Sequence, residues 1–69
     1  MTFDDPKTEE KAPEGKIRFI GHEGGVPYHI ADLDAPMTHQ QMDELAHQHR
    51  GVGIFIYVYN ERGECVFTS

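Results

Sequence analysis

Histidine is the residue type in this chain that could take part in the widest range of chemistry, and the chain contains five histidines among 69 residues. His39, Asp43 and His47 are each four residues apart, so in a helix they share one face. Imidazole and carboxylate groups are good ligands for Zn²⁺ or Ni²⁺. However, side chains at i, i+4 and i+8 span about 12 Å of helix, which allows two of them to share an ion but hardly three. A solvated polar face is the favoured interpretation, and a histidine-based metal-binding module is the alternative.

Two further groupings could in principle do chemistry, but neither has a supporting pattern. His22, His29 and Cys65 could meet across neighbouring strands, yet the chain contains no CxxC or HExxH motif. Cys65 could act as a nucleophile with a histidine as its base. A buried, inert thiol is the commoner outcome for a lone cysteine followed by apolar residues, and the adjacent Glu64 disfavours a thiolate.

Other nucleophiles and phosphate-binding motifs give no stronger signal. The only serine is the terminal Ser69, and the glycines of 21–25 match neither the GxGxxG nor the P-loop pattern. The sequence therefore predicts a protein that is not an enzyme and needs no cofactor.

The segment from Gly51 to Tyr59 is apolar on both faces when it is read as a strand. Alternation places one set of side chains on each face: Ile54, Ile56 and Val58 on the first, and Phe55, Tyr57 and Tyr59 on the second. A strand without polar alternation is usually covered on both sides. The chain offers one convincing helix, enough to cover one face. The aromatic face therefore predicts a partner-binding surface, unless the N-terminal tail or the loop at 34–37 folds over it.

The remaining patterns predict the elements that position these residues. Residues 16–20 and 26–33 alternate as strands around a glycine-rich turn at 21–25. Thr38 and Gln41 form a capping box for a helix to about Arg50, with Met42 and Leu45 on its apolar stripe. A turn at 60–63 leads to a last short strand at 64–68. These elements predict an α+β fold: two hairpins in a small antiparallel sheet, with the helix on one face, in the order β-β-α-β-β.

Composition divides the chain into a tail and one small domain. Residues 1–15 hold five acids and two bases without apolar periodicity, which predicts a disordered acidic tail. Residues 16–69 hold seven acids and four bases, so each part contributes three of the six net negative charges. Acidic charge disfavours direct nucleic-acid binding, including base stacking on the aromatic face. No apolar run is long enough to span a membrane, and a single cysteine without a signal peptide favours a cytoplasmic location.

A core this small gains little net stability, and a second subunit is a common remedy. Disulfides within the chain are excluded because Cys65 is the only cysteine. The sequence therefore predicts a small acidic interaction or regulatory protein. Its expected partner is a second copy, giving a homodimer, or another protein with a basic surface, bound through Phe55, Tyr57 and Tyr59.

Overall fold

The protein has an α+β fold in which one helix lies against one face of a four-stranded antiparallel sheet. The computed structural model describes residues 9–69. The elements follow the order β-β-α-β-β, as predicted: β1 (Lys16–Glu23), β2 (Val26–Asp34), α1 (His39–His49), β3 (Ile54–Tyr59) and β4 (Cys65–Thr68). The spatial order of the strands is β2-β1-β3-β4, so β1 and β3 are central. Within the described residues, no helix is long and apolar enough to cross a membrane.

The first hairpin is longer than the sequence predicts. Strand β1 continues past Ile20 to Glu23, and the turn consists only of Gly24 and Gly25, whose φ angles are +59° and +82°. Two consecutive positive φ angles suit a tight two-residue hairpin turn, and glycine adopts them without steric cost. The placement of His22 in a turn was therefore wrong, because this residue lies on β1 opposite Pro27.

The helix begins where its capping box predicts. The Thr38 hydroxyl accepts a hydrogen bond from the Gln41 amide, and the Gln41 side chain accepts one from the Thr38 amide. Met42 and Ala46 are buried against the sheet, whereas Leu45 is half-buried. This confirms the predicted apolar stripe of the helix. The remaining members of this core come from β1 and β3: Ile17, Phe19, Ile56 and Val58.

The second hairpin is closed by Asn60. Its backbone carbonyl accepts a hydrogen bond from the Gly63 amide, and its side-chain oxygen accepts from the amides of Arg62 and Glu64. Gly63 has a φ of +81°, as the predicted turn requires. An asparagine that bonds the backbone ahead of it is a common device for such turns. The turn fixes the register in which β4 returns beside β3.

The predicted disordered tail covers residues 1–15, of which the structure describes residues 9–15. Residues 1–8 lie outside the described residues. Residues 9–15 contact the sheet: the Ala12 amide donates to the Asn60 carbonyl over 3.0 Å, and the Gly15 amide donates to the Glu61 carboxylate over 3.1 Å. Ala12 is buried. These contacts come from the small side chain of Ala12 and from backbone amides, neither of which a prediction based on composition takes into account.

Candidate protein-docking site

The face of the sheet opposite the helix, called here the second face, brings the aromatic residues of β3 beside polar residues of β1. Residues paired across an antiparallel ladder share a face. The pairs on this face are Arg18 with Tyr59, Ile20 with Tyr57, and His22 with Phe55. Strand β2 adds Asp32, His29 and Pro27 along the other side of β1. The predicted stripe Phe55, Tyr57 and Tyr59 therefore does lie on one face, away from the helix.

The end of the second face near the Gly24–Gly25 turn forms an aromatic patch, defined here as His22, Phe55 and Tyr57. Phe55 is the exposed member, with 57% of its surface accessible. The His22 ring stands edge-on to the Tyr57 ring, with centroids 4.8 Å apart and planes inclined by 71°. This T-shaped arrangement is a favourable one for aromatic rings. The contact holds Tyr57 in place beside the exposed Phe55.

One polar atom in the patch is left without a partner. The Nε2 atom of His22 is inaccessible to solvent, and within residues 9–69 no group forms a hydrogen bond with it. Leaving a buried polar atom unpaired costs about 1–3 kcal/mol. Because the chain itself already covers this atom, the open part of the second face is marked by the exposed Phe55.

At its other end the second face is covered by the chain itself. Residues 9–12, called here the strap, cross Tyr59, which is only 8% exposed. Arg18 donates a hydrogen bond to the Glu9 carbonyl over 3.1 Å, which fixes the start of the strap. Burial, followed by the nearby carboxylate of Glu10, raises the pKa of Tyr59 to about 12. Tyr59 is thus occupied within the chain, whereas Phe55 and Tyr57 are not covered by the strap.

The strap end of the second face also contains a charged pair. Arg18, itself buried, donates from Nε and Nη2 to the two carboxylate oxygens of Asp32 over 2.8 and 3.0 Å. The His29 Nε2 atom lies 3.1 Å from the same carboxylate, close enough for an ion pair although the angle is poor for a hydrogen bond. The Arg18 guanidinium holds the pKa of Asp32 below its usual value. The two charges neutralise each other, so Asp32 does not present an unpaired carboxylate on the second face.

The candidate metal ligands are not gathered into a site. His39, Asp43 and His47 are exposed on α1, and His39 makes a ring contact with Phe67 of β4. Across residues 9–69, no three histidine, cysteine or acidic side chains come together in an arrangement that could hold an ion. The expectation of a buried thiol was wrong, because β4 ends the sheet and leaves Cys65 exposed beside Tyr59.

Comparison of the chain with protein-family models, with curated proteins and with solved structures finds no match. The function must therefore be argued from the geometry of the second face. Of its features, the aromatic stripe was predicted from alternation alone. The strap and the role of His22 were not. The signal for His22 was the Gly24–Gly25 pair, which alone is sufficient for a hairpin turn and leaves Gly21 and His22 to the strand.

Proposed function

We propose that this protein is a small interaction protein that docks a protein partner on the aromatic patch of its second face. The observation that carries the proposal is the exposure of Phe55 in the ladder position next to Tyr57 and His22. Aromatic side chains and histidine present a large rigid surface that loses little conformational entropy on binding.

The chemistry of the patch favours a protein over other ligands. The site is a flat sheet face rather than a pocket, whereas small molecules prefer concave sites. The patch contains no Lys or Arg, the side chains that neutralise phosphates in nucleic-acid complexes, and Arg18 on the same face is engaged by Asp32. A protein surface with apolar groups at its centre is the ligand class that fits.

Site-specific photo-crosslinking in living cells tests this proposal. A photoreactive phenylalanine analogue is introduced at Phe55, and a matched control carries it at Val52, which is fully exposed in the loop before β3. We expect a covalent adduct with a protein from position 55 and none from position 52. The absence of any adduct at position 55, or equal labelling from both positions, would contradict docking on the aromatic patch.

A further inference from the structure

Resting on that proposed function, we propose that the partner on the aromatic patch is a second copy of this chain, docked face to face about a two-fold axis. A two-fold interface uses the same patch on both copies, so the patch must be complementary to itself. An uncharged aromatic surface meets this condition, because it presents no like charges to its copy. His22, Phe55 and Tyr57 form such a surface in a chain whose net charge is −6.

The charge distribution argues against the main alternative, a partner with a basic surface. The strap end of the second face is acidic, because Glu9 and Glu10 belong to the strap and the Glu61 carboxylate accepts a hydrogen bond from the Gly15 amide close to it. The aromatic patch lies at the opposite end of the same strands. A partner with a basic surface would be attracted to the acidic residues at the strap, where Tyr59 is already covered, rather than to the aromatic patch. The patch itself favours an uncharged surface like its own.

The strap also determines the relative orientation of the two copies. In a face-to-face pair the two-fold axis lies in the plane between the two sheets, near the His22–Tyr57 contact, and runs either along the strands or across them. If β3 strands ran in the same direction, the two acidic straps would face each other, and like charges in contact are unfavourable. If they run in opposite directions, each strap lies beyond the edge of the other copy. The structure therefore favours an offset, antiparallel pair.

The size of the face predicts a weak interface. The molecule is a slab of about 36 × 30 × 15 Å, so its broad face has a footprint on the order of 1,000 Å². A standard interface buries about 800 Å² on each partner. Because the strap occupies part of the second face, the offset pair buries less than this. We therefore expect a dissociation constant in the micromolar range or above, up to about 1 mM.

Sedimentation equilibrium of the full chain tests the inference directly. We expect the apparent mass to rise with concentration from 7.9 kDa towards twice that value. The substitution Phe55→Lys should weaken association at least tenfold, because it places a charge on each copy at the centre of the contact. Val52→Lys adds the same charge at an exposed loop position and should leave association unchanged. Since Phe55 is exposed, its lysine variant should fold, and a dispersed NMR spectrum verifies this.

The outcomes separate this inference from the proposed function. A chain that stays monomeric up to about 1 mM, or a dimer that tolerates Phe55→Lys, would overturn the second copy as the partner. If position 55 then crosslinks only to a different protein in cells, docking on the patch stands and its partner is another chain. Contacts from Phe55 to residues 1–8 of the same monomer, seen as NOEs, would assign the patch to the chain itself and overturn both proposals.

Discussion

Arg18 faces Asp32 on the neighbouring strand and donates two hydrogen bonds, of 2.8 and 3.0 Å, to its carboxylate on the second face. This planar, two-pronged contact is the strongest geometry available to a guanidinium and a carboxylate. It lies at the strap end of the second face, beside Tyr59, and Arg18 also donates a hydrogen bond to the Glu9 carbonyl. The pair thus joins β1, β2 and the strap. Because the two charges neutralise each other, neither of them is buried unpaired beside the apolar groups of this face.

The first prediction concerns this pair. Asp32→Asn should lower the free energy of unfolding by about 1–3 kcal/mol, because it leaves the buried guanidinium without its charged partner. Asp34→Asn is a matched control on the same strand, since Asp34 pairs with Lys16 at the surface and such pairs contribute little. Urea denaturation near neutral pH measures both variants. Equal losses of stability in the two variants would contradict the prediction that the buried Arg18–Asp32 pair contributes more than the surface Lys16–Asp34 pair.

The same pair predicts a pH dependence. Arg18 lowers the pKa of Asp32 in the folded state below the value of 3.8 that is usual for an aspartate. The unfolded chain therefore binds this proton at a higher pH than the folded chain does. The stabilisation that the Arg18–Asp32 pair provides is complete at pH values above the pKa of Asp32 in the unfolded chain. It is lost as pH falls through the lower pKa of Asp32 in the folded chain. The difference in stability between parent and Asp32→Asn should accordingly shrink in strong acid and be constant near neutral pH.

A second prediction concerns the start of α1. Thr38→Ala should cost about 1 kcal/mol, because the Gln41 amide loses its side-chain acceptor. Gln40→Ala, at an exposed position of the first turn, lies outside the capping box and should change stability by less than about 0.5 kcal/mol. Chemical denaturation midpoints measure both. A midpoint for Thr38→Ala equal to that of Gln40→Ala would show that the capping box does not stabilise the helix.

The cap also illustrates what the sequence could predict. A capping box and an apolar stripe act over a few residues, so Thr38, Gln41 and Met42 could be assigned from spacing alone. Strand alternation likewise placed Phe55 and Tyr57 on one face. The sequence could not predict the strap, because the burial of Ala12 depends on contacts with a turn almost fifty residues later in the chain. Composition gives apolar content and charge, but it cannot predict a hydrogen bond between the Ala12 amide and the distant Asn60 carbonyl.

A third prediction concerns Gly21, whose position in a strand rather than a turn needs a packing explanation. A Cβ atom at this residue would lie 2.4 Å from the Cζ atom of Tyr28, the residue opposite it on β2. The tyrosine ring thus lies over the glycine, and Gly21→Ala would displace it at a cost of about 1–3 kcal/mol. In a Tyr28→Ala background the same substitution should cost much less.

A double-mutant cycle measures this coupling from four denaturation curves. Two residues in direct contact show a coupling energy of about 0.5–3 kcal/mol, whereas independent residues show none. An additive cycle would mean that Tyr28 does not pack on Gly21. The result also bears on the first hairpin, since the close approach of the ring explains why a glycine is found inside β1.

The last prediction concerns the strap and its cover over Tyr59. Burial beneath residues 9–12 raises the pKa of Tyr59 to about 12, with Glu10 adding to the effect. Ala12→Gln replaces a buried methyl with a bulky polar side chain, which should detach the strap and admit water to Tyr59. The pKa of Tyr59 should then fall towards the ordinary 10.0. Lys11→Gln changes the exposed neighbouring residue and should leave the pKa of Tyr59 unchanged. The Cζ chemical shift of a ¹³C-labelled tyrosine reports this titration.

The sign of the linked stability change follows from the raised pKa of Tyr59. The folded chain holds the phenolic proton to a higher pH than the unfolded chain, so this contribution is complete below pH 10.0 and is lost as pH rises towards about 12. The parent should therefore lose stability in that alkaline range, and Ala12→Gln should lose less there, although it is less stable at neutral pH. A parent in which Tyr59 titrates near 10.0 would show that the strap does not cover it, and the second face would then be open along its whole length.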